Sequence, residues 1–440
     1  MWLSMKGHSW DAQMHCKKII TSAILILALF MLAACSDETS SPTRTLNPNL
    51  EWHGDNRQRL NEMITRCGKS SHSYDLSKKP IATFDWDNSV IKDDIGAATL
   101  YWLIRQGKVL QPPNADWRVV PFLTEEAAET LRTVCGTNTP PGSPLPTPTN
   151  IACADELVSL SETGTLTNGR PAFEEGYNHR TYRPSGAWQT HVLAGYAPDE
   201  VRAFAGEAIA ANLSAPIGAT QIVGSTEVNG YIRVYDQIKD LIETLQANGF
   251  DVWIVSASCQ YIVEPFAARV GISADHVIGI RSIIDENGCL TYDLEGCGPV
   301  ADRENTLMTY IVGKRCWINK VIYGDTSANA INIRPETERQ LFGVGDSDTD
   351  TAFLQDATAL KLAINRNAVE LMCNAYENQG AKWLINPMFI KPKPARTEGY
   401  PCSTTGCRDA AGNRVPCRNA DGNIIPDQED TIYGEIPGTQ

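Results

Sequence analysis

Basic residues are in short supply in this 440-residue chain. Thirty-eight Lys and Arg stand against 52 Asp and Glu, a formal net charge of −14. A nucleic-acid binder needs a basic face to neutralise phosphates, so that class is excluded. Histidine is sparse as well, with seven in the chain. The 13 cysteines contain no CxxC pair, which excludes the common zinc modules. His179 and His191 match no zinc spacing and read as structural. Beyond one N-terminal run, no segment is apolar enough to span a bilayer. What is present is a 42% hydrophobic, 20% charged composition. It excludes wholesale disorder and allows two or three cored domains.

The one apolar run has the form of an export signal. Met14-His15-Cys16-Lys17-Lys18 is a basic start, and Ile19 to Leu32 is apolar apart from Thr21 and Ser22. Leu32-Ala33-Ala34-Cys35 follows and reads as a bacterial lipobox. The expectation is a lipoprotein signal peptide over residues 1–34, with Met14 as its effective start and a lipid on Cys35. An uncleaved signal anchor is the alternative. Residues 35–49 are polar, hold two prolines and read as a tether. Cleavage leaves 35 basic and 51 acidic residues, net −16. A lipid-anchored cell-envelope protein follows, on the periplasmic or cell-surface side of a bacterial membrane. The number of cysteines fits such an oxidising place.

Along the body, helical and strand patterns alternate. Residues 50–68, Ile95 to Gln106, Pro198 to Leu213 and Asp236 to Asn248 read as amphipathic helices. Lys79 to Phe84, Phe250 to Val255, Val277 to Ile280, Leu341 to Val344 and Leu360 to Ile364 read as buried strands. Such alternation predicts an α/β fold with a parallel sheet. Its site should lie beyond the carboxyl ends of the strands. There the chain places Asp85-Trp86-Asp87-Asn88-Ser89, Ser256-Ala257-Ser258 and Gly345-Asp346-Ser347-Asp348-Thr349-Asp350. Between the last two, Tyr310-Ile311-Val312-Gly313-Lys314 opens a helix.

These residue types suit phosphoryl transfer. Asp85 can attack phosphorus and form an acyl phosphate. Asp87 can protonate the leaving oxygen and later activate water. Ser256 and Lys314 can hold the non-bridging oxygens. Clustered Asp85, Asp346 and Asp350 would repel one another without a hard cation, Mg²⁺ foremost among the divalent metals. Singly, each signal is weak: DxD begins at Asp85, Asp346 and Asp348, and an acid-rich chain makes it by chance. A lone Ser after a strand is usually a cap, and a lone Lys usually a solvated face. The combination, ordered along the strand ends, carries the reading.

Asp85-Trp86-Asp87-Asn88-Ser89 resembles the first motif of the haloacid dehalogenase superfamily. Ser256 is similar to its second motif, Lys314 to its third and Gly345-Asp346…Asp350 to its fourth, a match over roughly residues 50–375. The resemblance implies a Rossmann-like core and Mg²⁺ held by Asp85, the backbone carbonyl of Asp87 and Asp346, with Asp350 supporting the shell. It implies that Asn88 and Ser89 support the loop or bind phosphate. An acid at Asp87 implies phosphatase or phosphotransferase chemistry. Trp52…Asn56-Arg57…Leu60-Asn61…Met63-Ile64 resembles secreted phosphorylcholine-phosphatase-like members. Asp93-Asp94 is followed by Gly96-Ala97, where a choline binder would carry acid.

The core is assigned to residues 50–106 and 235–385, with a mostly helical cap inserted over 107–234. The first and second motifs are 171 residues apart, far more than a simple crossover needs. Within the cap, Glu174 to Arg183, with Trp188 and His191, reads either as a leaving-group pocket or as an ordinary surface loop. Cys135 and Cys153 flank the Pro/Thr segment 137–149 as a candidate disulfide, and Cys289 and Cys297 flank a candidate hairpin as another. Cys259 with Cys316 and Cys67 with Cys373 are further candidates. Residues 393–440 form a small Cys-rich tail with a ten-residue repeat from Cys407 and from Cys417, each unit a candidate hairpin. Asp421-Gly422-Asn423 with Asp427 lacks the ligand series of a calcium loop, and the tail reads as a disulfide-tied, poorly packed appendage.

The leading expectation is a Mg²⁺-dependent phosphomonoesterase acting on a small phosphorylated compound through an aspartyl phosphate, tethered to a membrane by its lipid. A non-catalytic surface-binding lipoprotein on the same scaffold, with the tail as its working part, is one alternative. A phosphotransferase is another.

Overall fold

A computed structural model describes residues 43–433. The signal peptide, Cys35, most of the tether and the last seven residues lie outside the described residues. Among the described residues, no helix is long and apolar enough to cross a membrane.

Six parallel strands form the central sheet: β1 (Ile81–Phe84), β2 (Asp251–Cys259), β3 (Val277–Ile280), β4 (Phe342–Gly345), β5 (Leu360–Asn365) and β6 (Trp383–Pro387). Their spatial order is β6-β5-β4-β1-β2-β3. These strands are buried on both faces, so they read as apolar runs rather than as alternations. Phe84, Ile254, Ile278, Val344 and Leu362 are all fully buried. The chain builds outward from β1 to β3, then crosses back to β4 on the other side of β1. That reversal makes the crevice beyond β1 and β4 the natural binding place. An α/β core with a parallel sheet is therefore present, as the alternation predicts, and it is Rossmann-like, as the resemblance implies.

Helices α1 (Asn56–Cys67) and α2 (Ile95–Arg105) flank the start of the core. Asp94 caps α2 by accepting a hydrogen bond from the Ala97 amide at 2.8 Å. Helices α3 (Glu125–Cys135), α4 (Ile151–Glu162), α5 (Pro184–His191) and α6 (Pro198–Ser214) follow, with a hairpin of Thr220–Val223 against Thr226–Asn229. The core resumes with α7 (Asp236–Ala247) and α8 (Gln260–Ala267), and continues through α9 (Val312–Val321), α10 (Thr351–Asp356) and α11 (Val369–Glu377). Strand β2 runs to Cys259, so Ser256-Ala257-Ser258 belongs to the strand end rather than to a loop after it.

Cysteine pairing departs from the sequence reading in three places. Cys135–Cys153 forms as expected and closes the Pro/Thr segment. Cys297 bonds Cys316, so the Cys289–Cys297 and Cys259–Cys316 pairs are both corrected. Cys289 is itself disulfide-bonded. It lies in the turn just before the second strand of an antiparallel pair, Ser282–Ile284 with Leu290–Leu294, while Cys297 is carried past the hairpin toward α9. Cys373 bonds Cys402, which corrects the Cys67–Cys373 pair. Among the described residues Cys67 and Cys259 are free thiols, Cys259 fully enclosed.

The tail is also better packed than expected. Tyr400, Cys402, Cys417 and Ile425 are each at most 1% exposed. Cys407–Cys417 closes a small hairpin of Cys407–Arg408 against Arg414–Val415, and Arg418 bridges Ile424 in the second repeat. Cys373–Cys402 staples this unit to α11.

Candidate active site

Strand β1 delivers Asp85 at its end, and the Asp85 amide donates to the Val344 carbonyl of β4 at 2.9 Å. That bond sets the first and fourth motif loops side by side. Gly345 is required there, since a Cβ would lie 2.6 Å from the Asp350 Cβ. Gly313 is required at the start of α9, where a Cβ would stand 1.9 Å from the Met308 carbonyl oxygen. Its closeness to that turn seats Lys314 in the first turn of α9.

Lys314 is fully buried and bridges two carboxylates. Its Nζ donates to Asp85 Oδ1 and to Asp350 Oδ1, both at 2.6 Å. Burial alone would lower its pKa, but Asp350 and Asp85 override this and raise it. Ser89 Oγ lies 2.9 Å from Asp85 Oδ2 and 3.0 Å from Asp346 Oδ1. One hydroxyl proton can serve only one of those oxygens at a time. Asp350 Oδ2 accepts from the amides of Asp346 and Ser347, each at 3.0 Å. Its carboxylate is thus committed to holding Lys314 and the fourth loop.

Asp87 faces elsewhere. Its Oδ1 accepts from the Ile95 amide and its Oδ2 from the Ser258 hydroxyl, both at 2.8 Å. Burial pushes the Asp87 carboxyl well above the usual range, and Asp94 and Asp85 add to the effect. Ser256 Oγ is 3.4 Å from Asp87 Oδ2 and accepts from the Ser258 amide at 3.1 Å.

A cavity of about 420 Å³ opens over these groups, a size suited to a small ligand. Asp85, Asp87, Asn88 and Asp346 line it. Ser89, Ser256 and Lys314 are fully buried and lie behind its lining. The sequence reading put Ser256 and Lys314 on the phosphate itself. Here Ser258 is the serine that faces the cavity, and Lys314 acts on Asp85 and Asp350. Asn88, at φ +62, takes the Asp93 amide on its side-chain oxygen at 3.1 Å, so it shapes the loop as well as lining the cavity.

The cap contributes Glu162, Arg183, Ser185 and Gln189 to the lining. Of the stretch Glu174 to Arg183, only Arg183 reaches the cavity. Tyr177 packs on Phe122 and Tyr182. His191 is fully buried, and burial pushes its imidazole down to about 4. Trp188 is buried against Trp117. Both are structural, as the sequence suggests for His191.

Arg366, directly after β5, was not singled out in the sequence. Its Nε lies 2.8 Å from Asp346 Oδ2. The N–H is not directed at that oxygen, which has no hydrogen-bond partner although it is buried. Oxygens of Asp85, Asp346 and Asp350 lie within 4.8 Å of one another. Three carboxylates against Lys314 and Arg366 leave one excess negative charge and one unsatisfied oxygen. That donor set fits a hard divalent cation. Asp85 and Asp346 have the oxygens to offer it, whereas Asp350 stands one step behind.

Residues 164–355 match the haloacid dehalogenase-like hydrolase family. The inhibition of morphological differentiation protein of Streptomyces azureus is 39% identical over 62 residues. That match covers 14% of this chain and 22% of the curated relative, so the chain spans about a fifth of its length. A conserved protein of unknown function from Anaerococcus prevotii DSM 20548 has a similar structure, with a TM-score of 0.54 and 20% identity over 77% of this chain and 93% of that one. A protein of unknown function from Bordetella pertussis Tohama I gives 0.40 and 17%, over 71% of this chain and all of that one. The matched segment takes in Ser256, Lys314, Asp346 and Asp350 and begins after Asp85 and Asp87. It is this segment, residues 164–355, that is similar to the haloacid dehalogenase-like hydrolases.

Proposed function

We propose that this protein is a phosphomonoesterase of small phosphorylated compounds that works through an aspartyl phosphate. The observation that carries the reading is the pairing of Asp85 and Asp87 on one loop in opposite roles. Asp85 is held by Lys314 and Ser89, while Asp87 is turned away and oriented by Ser258 and the Ile95 amide. A carboxylate oxygen of Asp85 attacks phosphorus as the bond to the leaving oxygen breaks. Asp87 gives its proton to that leaving oxygen. Asp87 then takes a proton from water, whose oxygen attacks phosphorus, releases phosphate and restores Asp85. Asp350 keeps Lys314 in place throughout, and Asn88 lines the space for the phosphoryl group. A divalent cation, Mg²⁺ foremost, held by Asp85, Asp346 and the Asp87 carbonyl, would neutralise charge on the non-bridging oxygens.

The same reading places the enzyme in the cell envelope, lipidated on Cys35 and open to external substrates. With no nucleotide pool there, water is the natural acceptor, which favours hydrolysis over phosphotransfer. A binding protein has no need of both Asp85 and Asp87.

The test is phosphate release from an aryl phosphate by the purified full chain, with Mg²⁺ and with chelator. Asp85→Asn should reduce release at least about 10³-fold. Metal-independent release, or release that survives Asp85→Asn, would sink the reading.

A further inference from the structure

Six carboxylates line the cavity: Asp85, Asp87, Asp93, Asp94, Glu162 and Asp346. An anionic substrate needs positive charge to enter against them. Lys92 is paired with Asp93 at 2.8 Å; the other cations of the lining are Arg183, Lys393 and Arg366, whose Nε lies 2.8 Å from Asp346 Oδ2 while its side chain is still about a third exposed. Lys393 belongs to the C-terminal tail itself. Arg366 sits in a short turn that the tail holds from both sides. Asn365 Nδ2 donates to Asp430 Oδ1 at 3.0 Å and to the Ile432 carbonyl at 2.7 Å. Asn367, at φ +64, donates through Nδ2 to the Pro394 carbonyl at 3.1 Å. Asp430 is anchored in turn by Tyr376 Oη at 2.7 Å and by the Arg396 amide at 2.8 Å.

The tail also reaches the cap. The His179 amide donates to the Ala410 carbonyl at 3.0 Å, and Arg180 Nη1 reaches the Arg408 carbonyl at 3.3 Å and Glu370 of α11 at 2.7 Å. This is the segment that ends in Arg183.

We propose that the Cys-rich tail is a working part of the active site: it supplies Lys393 and, through Asp430 and the Asn365-Arg366-Asn367 turn, holds Arg366 where it receives the substrate's phosphoryl anion. Arg366 is the group that meets the anion, with its side chain about a third exposed at 36%. Asp430 is a positioning residue that acts through the turn. The inference rests on the phosphomonoesterase reading, and deepens it by assigning the cationic wall.

The experiment measures inorganic phosphate affinity by calorimetry on the Mg²⁺-loaded full chain, together with KM and kcat on an aryl phosphate. Arg366→Gln and Asp430→Ala should each weaken phosphate binding about tenfold and raise KM more than they lower kcat. The double variant should bind no more weakly than Arg366→Gln alone, because Asp430 acts through Arg366. Should Asp430→Ala fail to fold, Tyr376→Phe removes one anchor of Asp430 and keeps the ring; it should shift phosphate affinity in the same direction. Multiplying losses in the double variant, or a lowered melting temperature with unchanged phosphate affinity, would overturn the proposal. Wild-type protein that neither binds nor releases phosphate would instead overturn the phosphomonoesterase reading.

Discussion

Lys314 is the residue on which the buried charges balance. Its ammonium lies between two carboxylates with no solvent contact, so its removal leaves Asp85 and Asp350 facing each other uncompensated. Losing one partner of a buried pair costs about 3–5 kcal/mol. Lys314→Met should therefore lower unfolding free energy by about that amount in chemical denaturation, as well as abolishing turnover. Asp346 offers a separate test of the cation. Mg²⁺ at about 100 times its dissociation constant should stabilise the wild type by about 2.7 kcal/mol. Thermal melts should show that gain shrink sharply in Asp346→Asn, whatever the substrate. His191 predicts a pH effect. Its folded pKa of about 4 lies below the ordinary 6.5, so the unfolded chain binds the extra proton first. Stability is then full above pH 6.5 and falls as pH drops from 6.5 toward 4, by at most about 3 kcal/mol. Melts across that window should be flatter in His191→Gln. Residues such as Asp85, Asp87 and Asp346 were legible in the sequence because each follows a short apolar strand in an acid-rich string. Arg366 obeys the same rule after β5. A lone arginine is usually solvated, and nothing local marks this one as facing an acid from another strand.

At the scale of elements, the strands and most helices could be read from local pattern alone. Periodicity marked α2, α6 and α7 within a residue or two. The end of β2 was read short because Ser256-Ala257-Ser258 is polar and small, yet it continues the strand beside β3 and turns Ser258 toward Asp87. Disulfides were harder, since spacing cannot choose among connectivities. Cys135–Cys153 could be found because the two cysteines bracket one loop between α3 and α4. Cys297–Cys316 joins a hairpin exit to α9, a neighbourhood created only by folding. The Cys135–Cys153 bridge closes a loop that should contribute about 3 kcal/mol by chain entropy. Replacing both cysteines with serine should lower the denaturation midpoint accordingly. It should leave kcat nearly unchanged, because neither residue lines the cavity.

At the scale of the molecule, one crevice is assembled from three remote parts of the chain: the strand ends, the inserted cap and the tail. The strand ends were visible in the sequence and the cap was implied by a long insertion. The tail's share was not visible, because its composition reads as an appendage and its partners, such as Cys373 and Asn365, are brought to it only by folding. The anchor proposal has its own test at this scale. Cys35→Ala should move the protein from the membrane pellet to the soluble fraction without altering its turnover. The tail has one more consequence, in the order of biosynthesis. A chain that emerges N-terminus first makes Asp85 early and Asp430 close to the end. Until Asp430 is out, the turn bearing Arg366 lacks its grip. Until Cys402 finds Cys373 in an oxidising place, the tail lacks its staple. On the proposed export and tail role, a nascent or unexported copy would carry the acids of the cavity with an unfinished cationic wall, and turnover should appear only once the tail is folded and oxidised.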